Sequence, residues 1–441
     1  MALEQAEVYA RRRARAMEMM GAGSVGIWMA PPERVRNHDV DHPYRQTSEL
    51  LYLSGCAEPE AVLVLCPDLS EGERSILFVR PRDTEREIWY GRRLGPARAR
   101  EYYEVDTTYD INEIDQVILT LLGGAERLYL RMGLEPAQDQ RALKWLEQVK
   151  RKRRNGVITP SQIVDPAQIL DEMRLIKDPT EMTWMRKAAE INIAAHRAAM
   201  SAAQPGMYEY ELAALLHYHY SRQGCTGTAY QSIVGGGDNA TILHYTENQD
   251  PLKDGELVLI DAGCEWNYYA SDITRTFPVN GRFSPQQRDV YTIVLDALDA
   301  AIAQCKPGNR IQDVHEAALR RLTEGLVALR VLEGDIDELI VARAYETFYM
   351  HRTSHWLGLD VHDAGGYHDA QGRPRILRPG MVLTVEPGLY FHAYHNVNTA
   401  DPFQGIGIRI EDNILITENG YENLTLHTPR TPDEIEAACA S

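Results

Sequence analysis

The chain has 441 residues, too many for one ordinary core, and with 44% hydrophobic and 25% charged residues its composition is globular rather than disordered or collagenous. Aspartate and glutamate outnumber lysine and arginine by 64 to 46, a formal net charge of −18. That balance argues against nucleic acid as a main partner, because duplex binding relies on basic side chains neutralising phosphates.

Residues 1 to about 170 alternate helical and strand patterns. An amphipathic N-terminal helix is followed by the strand-like runs SVGIWMA, AVLVLC, SILFVR and RLYLRM, with helical stretches near 111–123 and 136–153. The alternation predicts an α/β domain over 1–170. The charged start, MALEQAEVYARRRARAMEMM, lacks the apolar core of a signal peptide. No run of about 18 apolar residues occurs, so no membrane partner is expected. The basic run Lys150–Arg154 follows the helical LKWLEQV and reads as a solvated helix end.

Breakers at Asn155-Gly156, Thr159-Pro160 and Asp165-Pro166 mark a boundary, followed by a short helix and Asp178-Pro179. Asp178 is a good N-cap, with Pro179 at the first helical position and Glu181 closing the box. The helix it opens runs to about 202. Others are expected over about 208–223, from Ser284-Pro285 with Gln287 as box partner, and over about 311–329. The strand runs between and after them make 178–441 an α+β domain. Gly235-Gly236-Gly237 has no following Lys-Ser/Thr, so it reads as a flexible turn rather than a phosphate loop. The six cysteines form no CxxC, and Cys66, Cys264 and Cys305 lie in apolar surroundings as expected free thiols, which fits a reduced, cytoplasmic enzyme.

The densest chemical signal lies in this second half. Asp261, Asp272, Glu386 and Glu411 each sit in or beside an apolar strand-like run: LVLIDAG, SDITRTF, MVLTVEPG and GIGIRIED. Carboxylates embedded in strands are costly unless cations neutralise them. One divalent ion would half-balance four such charges and two would balance them, so the pattern reads as a two-metal hydrolase site. The runs holding Asp261 and Asp272 are expected to pair as a hairpin, bringing the two acids together. Alternation around Glu411 puts Ile406, Ile408 and Ile410 on one face and Arg409 with Glu411 on the other. Glu386 continues the alternation of Val382 and Thr384 and precedes the turn at Pro387-Gly388. His351, His355 and His362 cluster within YMHRTSHWLGLDVHD, and His244 precedes the first acid by 17 residues. A carboxylate majority with imidazole points to Mn²⁺ first, with Co²⁺ or Zn²⁺ as alternatives. The HExxH pattern is absent.

The order Asp…Asp…His…Glu…Glu, carried by LIDAGCEWNYYASDITRTFPV, HWLGLDVHD, LTVEPGLY and GIGIRIED, resembles the pita-bread metallopeptidases. Within them it is most similar to the bacterial aminopeptidase P branch, the Xaa-Pro aminopeptidases. The likeness extends to YRQTSELLYLSG (44–55) and EIWYGRRLG (87–95) in the first domain. The resemblance implies an α/β N-terminal domain and a pita-bread catalytic domain with two metal ions on Asp261, Asp272, His355, Glu386 and Glu411. It implies attack by a bridging water or hydroxide, with Glu386 taking its proton. His244 and His362 match positions that contact substrate and steady the tetrahedral intermediate, and His351 lines the same pocket. Tyr390, Arg409 and Arg373 match a supporting network. Trp89 matches a position that reaches a neighbouring subunit in a homotetramer or homodimer.

One position departs from the pattern. Arg352 follows His351 where many relatives carry glycine; it disfavours φ > 0 and adds a cation near the pocket, aimed either at solvent or at a substrate carboxylate. His392 and His395 read as loop residues. The nearest alternative is prolidase, the same chemistry on Xaa-Pro dipeptides. Methionine aminopeptidases generally lack so large an N-terminal domain. A metal-free relative, creatine amidinohydrolase or a binding module, would have lost ligands that are intact here. A structural or nucleic-acid-binding role rests on residues 150–154 alone.

Overall fold

The computed structural model describes residues 3–393 and 402–440. Contacts divide the chain into two compact units, Met1–Glu172 and Met173–Ser441. The first holds a mixed six-stranded sheet in the order Thr107–Asp110, Ser75–Val79, Val62–Leu65, Ser24–Met29, Arg127–Tyr129, Gln162–Val164. Its apolar alternation resolves into a core of Val25, Ile27, Val64, Phe78, Ile118 and Trp145. The helix Pro136–Arg151 ends in the basic run, where Arg151 pairs with Glu147 and the side chains of Lys152 and Arg153 cap nearby oxygens on an exposed surface.

The second unit interleaves four long helices with antiparallel strands. The helix Pro179–Ala202 starts where the sequence places it. The Asp178 carboxylate accepts from the Thr180 and Glu181 amides at 2.8 and 2.9 Å, and Glu181 accepts from the Asp178 amide at 2.8 Å; such a cap is worth about 1 kcal/mol. The helix Pro285–Ile302 opens on a box between Ser284 and Gln287. The helices Glu209–Arg222 and Ile311–Ala328 complete the set. They pack with the strands around one apolar core that includes Ile260, Phe277, Val290, Leu298, Leu322, Ile408 and Ile410.

The strands set the site. Leu257–Ala262 lies between Ile233–Gly236 and Ile273–Pro278, antiparallel to both. The expected hairpin is present, with Asp261 opposite Thr274 and Ala262 opposite Ile273. The residues between form two short strands, Cys264–Trp266 and Tyr269–Ala270, in a separate sheet. Gly263 makes the junction: a Cβ there would lie 1.8 Å from the Ser271 carbonyl oxygen, so only glycine lets the two chain segments approach this closely.

Gly235-Gly236-Gly237 is not the flexible turn expected. It ends a strand and enters a short 3₁₀ turn, and Cβ atoms at the three positions would meet Asn239, Leu252 and Glu256 within 2.9 Å. These glycines serve close packing. All six cysteines are free, and Cys66, Cys264 and Cys305 are buried. His392 is in an irregular segment, and His395 lies outside the described residues. No described helix is long and apolar enough to cross a membrane.

Candidate metal centre

The four strand acids meet on the wall of one cavity of about 960 Å³, lined also by Tyr230, His244, His351, Arg352, His355, His362 and Arg409. Asp261 lies within its strand, while Asp272, Glu386 and Glu411 sit at strand ends. Glu386 faces the cavity and accepts from Thr384 Oγ1, while Leu383 and Val385 join the core; Arg409 and Glu411 line the cavity while Ile408 and Ile410 join the core. Asp272 is fixed from behind: the Asn413 side chain accepts from its amide at 3.0 Å and donates to its carbonyl. His355 arrives on an irregular segment running beside the strand Val382–Val385, through its carbonyl accepting from the Thr384 amide at 2.9 Å.

Among the described residues, donor atoms of Asp272, His355 and Glu411 lie within 4.8 Å of one another. His355 Nε2 is 3.5 Å from both Asp272 Oδ2 and Glu386 Oε1. Its Nδ1 is 3.0 Å from the Trp356 carbonyl, which can only accept, so Nδ1 carries a hydrogen and Nε2 is the atom that a metal would take in place of a proton. Asp261 completes the group through Tyr230, whose hydroxyl is 2.5 Å from Asp261 Oδ1 and also touches Asp272 Oδ1. One phenol hydrogen cannot serve both carboxylates.

The electrostatics are those of an anionic cluster only partly compensated by Arg409 and His355. Burial, with repulsion from Asp272, Glu386 and Asp261, pushes Glu411 far above the usual carboxylate range. Burial pushes Glu386 up to about 7, against the pull of His355 and Arg409, and pushes Asp272 up as well. His355 moves the opposite way to a buried imidazole: burial opposes its charge, yet Asp272 and Glu386 raise it to about 9. Oxygen-rich donors with one imidazole, close enough to share ions and short of positive charge, fit hard divalent cations.

Arg409 is the cavity's buried cation. Its guanidinium donates to Asp261 Oδ2 at 2.6 Å, to the Tyr390 hydroxyl at 3.0 Å and to Thr274 Oγ1 at 3.2 Å. Thr274 in turn donates to Glu411 at 2.6 Å. His351 Nδ1 is 2.8 Å from the Arg352 carbonyl and so donates to it, leaving Nε2 to accept from Tyr390 at 2.8 Å. Burial and the Arg409 charge lower His351 to about 3, so it is neutral. His244 and His362 are exposed cavity residues, and the His362 ring lies 4.3 Å from that of His355.

Two expected site residues are elsewhere. Arg373 is not among the residues lining the cavity; its guanidinium binds Asp369 at 2.8 Å across a tight exposed turn. Local pairing with an acid four residues away holds it there. Trp89 lies in the other unit, on the short helix Thr84–Tyr90, 82% exposed between the equally open Ile88 and Tyr90. Sequence reasoning missed Tyr230, which precedes the strand Ile233–Gly236. The only signal was a polar-tipped aromatic ahead of an apolar run, and nothing in the sequence says that this run pairs with Asp261. Thr274 was more legible, since it shares the face of Asp272 by period two.

The comparisons agree with this geometry. Residues 183–418 match the model of metallopeptidase family M24, and residues 9–129 match that of the aminopeptidase P N-terminal domain. The chain is 46% identical over 429 residues to the Xaa-Pro aminopeptidase of Escherichia coli, covering 97% of this chain and 96% of that one. Among solved structures it is similar to the aminopeptidase PepP of Pseudomonas aeruginosa (TM-score 0.96, 47% identity, 99% and 98% of the two chains). It is also similar to a zinc-substituted E. coli aminopeptidase P in complex with product (TM-score 0.94, 46% identity, 98% of each chain).

Proposed function

From the premise that this chain belongs to metallopeptidase family M24 and carries an aminopeptidase P N-terminal domain, we infer that it is an Xaa-Pro aminopeptidase. It releases the N-terminal residue from peptides with proline second. The observation that carries the reading is the cluster of buried acids with His355 on one cavity wall, in a chain whose full-length relative is a named Xaa-Pro aminopeptidase. Proline lacks an amide hydrogen and fixes φ, so a general peptidase handles this bond poorly and a dedicated cavity is needed. Prolidase is not favoured, because the full-length matches are aminopeptidases.

Asp261, Asp272, His355, Glu386 and Glu411 hold two divalent ions in this reading. Bound there, such ions polarise the scissile carbonyl and make water a nucleophile near neutral pH. Glu386, on the same cavity wall as the other ligands, accepts the proton of the attacking water. His362 and His244 donate to the substrate carbonyl from the open side of the cavity. Tyr390 and Arg409 brace Asp261 and His351, fixing acid orientation. Manganese suits a donor set of four carboxylates and one imidazole best, with cobalt or zinc as substitutes.

Residues 1–170 form the non-catalytic domain and 178–441 the catalytic one. The exposed Ile88-Trp89-Tyr90 patch supports a homotetramer or homodimer, and free cysteines support a reducing, cytoplasmic setting. The test is hydrolysis by metal-stripped protein, with and without Mn²⁺, of an Xaa-Pro dipeptide, an Xaa-Pro-Yaa tripeptide and a Met-Ala peptide. Manganese-dependent cleavage of the tripeptide well above the dipeptide supports the assignment. Preference for the dipeptide makes the enzyme a prolidase.

A further inference from the structure

Two arginines line the cavity, and they are used differently. Arg409 is buried and committed to Asp261, Tyr390 and Thr274. Arg352 is exposed, and its guanidinium makes no ion pair or hydrogen bond among the described residues. Its φ is not positive, so the backbone accepts a side chain there without strain.

The chain around Arg352 is tightly held. Its carbonyl accepts from His351 Nδ1 at 2.8 Å. The next residue, Thr353, meets His315 Nδ1 at 2.8 Å and the Tyr349 hydroxyl at 2.6 Å through its side chain, and its carbonyl accepts from the Glu386 amide at 2.8 Å. A long cationic side chain is therefore mounted on a fixed base beside the reacting groups. Among the described residues, the carboxylates lining the cavity are Asp261, Asp272, Glu386 and Glu411, the group read as the metal ligands, and none of them pairs with it. The neighbouring His315 is pushed down to about 4 by burial and by Arg352 itself, so it adds no second charge. A guanidinium is charged at every relevant pH and suits carboxylates in particular.

A short peptide bound for cleavage brings its own carboxylate. In Xaa-Pro-Yaa the terminal carboxylate is two residues beyond the scissile bond, a reach of at most about 7 Å of extended chain. Its amino end meets the anionic cluster, and its carboxyl end meets whatever cation the cavity offers. We propose that Arg352 is a specificity-determining residue that binds a substrate carboxylate on the leaving-group side, biasing the enzyme towards short peptides with a free C-terminus. The proposal rests on the Xaa-Pro aminopeptidase reading.

The test compares kcat/KM for Xaa-Pro-Ala with a free acid and with a C-terminal amide, in the wild type, Arg352→Met and Arg352→Lys. The wild type should favour the acid by about five- to tenfold, as a partly exposed charge-assisted contact allows. The preference should lie in KM, fall towards unity in Arg352→Met, survive in part in Arg352→Lys, and shrink at high salt. An amide substrate with glutamate in third place that recovers the preference identifies a side-chain carboxylate as a second source of the same anion. An acid-to-amide ratio equal in wild type and Arg352→Met overturns the proposal while leaving the aminopeptidase reading intact. A wild type that cleaves neither peptide overturns both.

Discussion

Glu411 and Asp412 are consecutive and both buried, at 1% and 0% exposure, yet they live in opposite electrostatic worlds. Asp412 points into the core, where Arg275 donates to it at 2.7 Å and Asn423 and Thr425 donate at 2.8 and 2.9 Å. Burial alone would raise its pKa, but these partners hold it below the usual carboxylate range. Glu411 points into the cavity, where Thr274 is its hydrogen-bond donor and three other acids are its neighbours, and it is driven up. The protein gives Asp412 an arginine of its own, whereas the buried arginine of the cavity, Arg409, binds Asp261 and leaves Glu411 without a cation. A buried carboxylate without an internal cation is a site held for an external one.

The comparison breaks most visibly at Glu411→Gln. The variant should lose metal and activity together, while the metal-free protein becomes more stable by about 1 kcal/mol, because folding no longer has to bury a carboxylate that must take up a proton there. Urea unfolding of both metal-free proteins checks the sign. Arg275→Met should do the reverse: with Asp412 left buried and unpaired, the fold should lose about 3–5 kcal/mol in the same assay. His362→Ala sharpens the boundary of the metal group. It should keep bound metal and lose about a hundredfold in kcat, since it removes a donor rather than a ligand. Metal lost in that variant would make His362 part of the cluster.

The two faces also predict opposite pH dependences. Asp412 has a lowered folded pKa, so its stabilisation is present above the unfolded value of about 4 and lost as acid takes the pH through the folded one. Glu386, raised to about 7 without metal, contributes stability that is full below about 4 and lost as pH rises to 7. Divalent metal cancels that loss. The gain in melting temperature on adding Mn²⁺ should therefore be small at pH 5. It should grow to about 5 °C or more at pH 7.5 with metal near a hundred times its Kd.

Much of this was legible in the chain because it depends on local periodicity. The acids on apolar strands, the face shared by Arg409 and Glu411, and the boxes at Asp178 and Ser284 are all short-range patterns. What escaped was long-range. Tyr230 reaches Asp261 and Asp272 only because the strand after it pairs with the Asp261 strand. Arg275 has five bonding partners, four of them more than a hundred residues away. The glycine run at 235–237 misled because composition records freedom, whereas packing against Asn239, Leu252 and Glu256 removes it. Arg373 is held by a local acid, Asp369, a pairing that its spacing of four residues makes legible.

The central claim, that the cavity face of these strands is built for cations the protein does not itself provide, is tested most directly by metal stoichiometry. Metal-stripped protein would be dialysed to equilibrium against Mn²⁺ and its metal content measured beside Glu411→Gln and Asp412→Asn. The account predicts about two ions per chain in the wild type, fewer in Glu411→Gln, and an unchanged number in whatever fraction of Asp412→Asn remains folded. Equal loading of wild type and Glu411→Gln would contradict it.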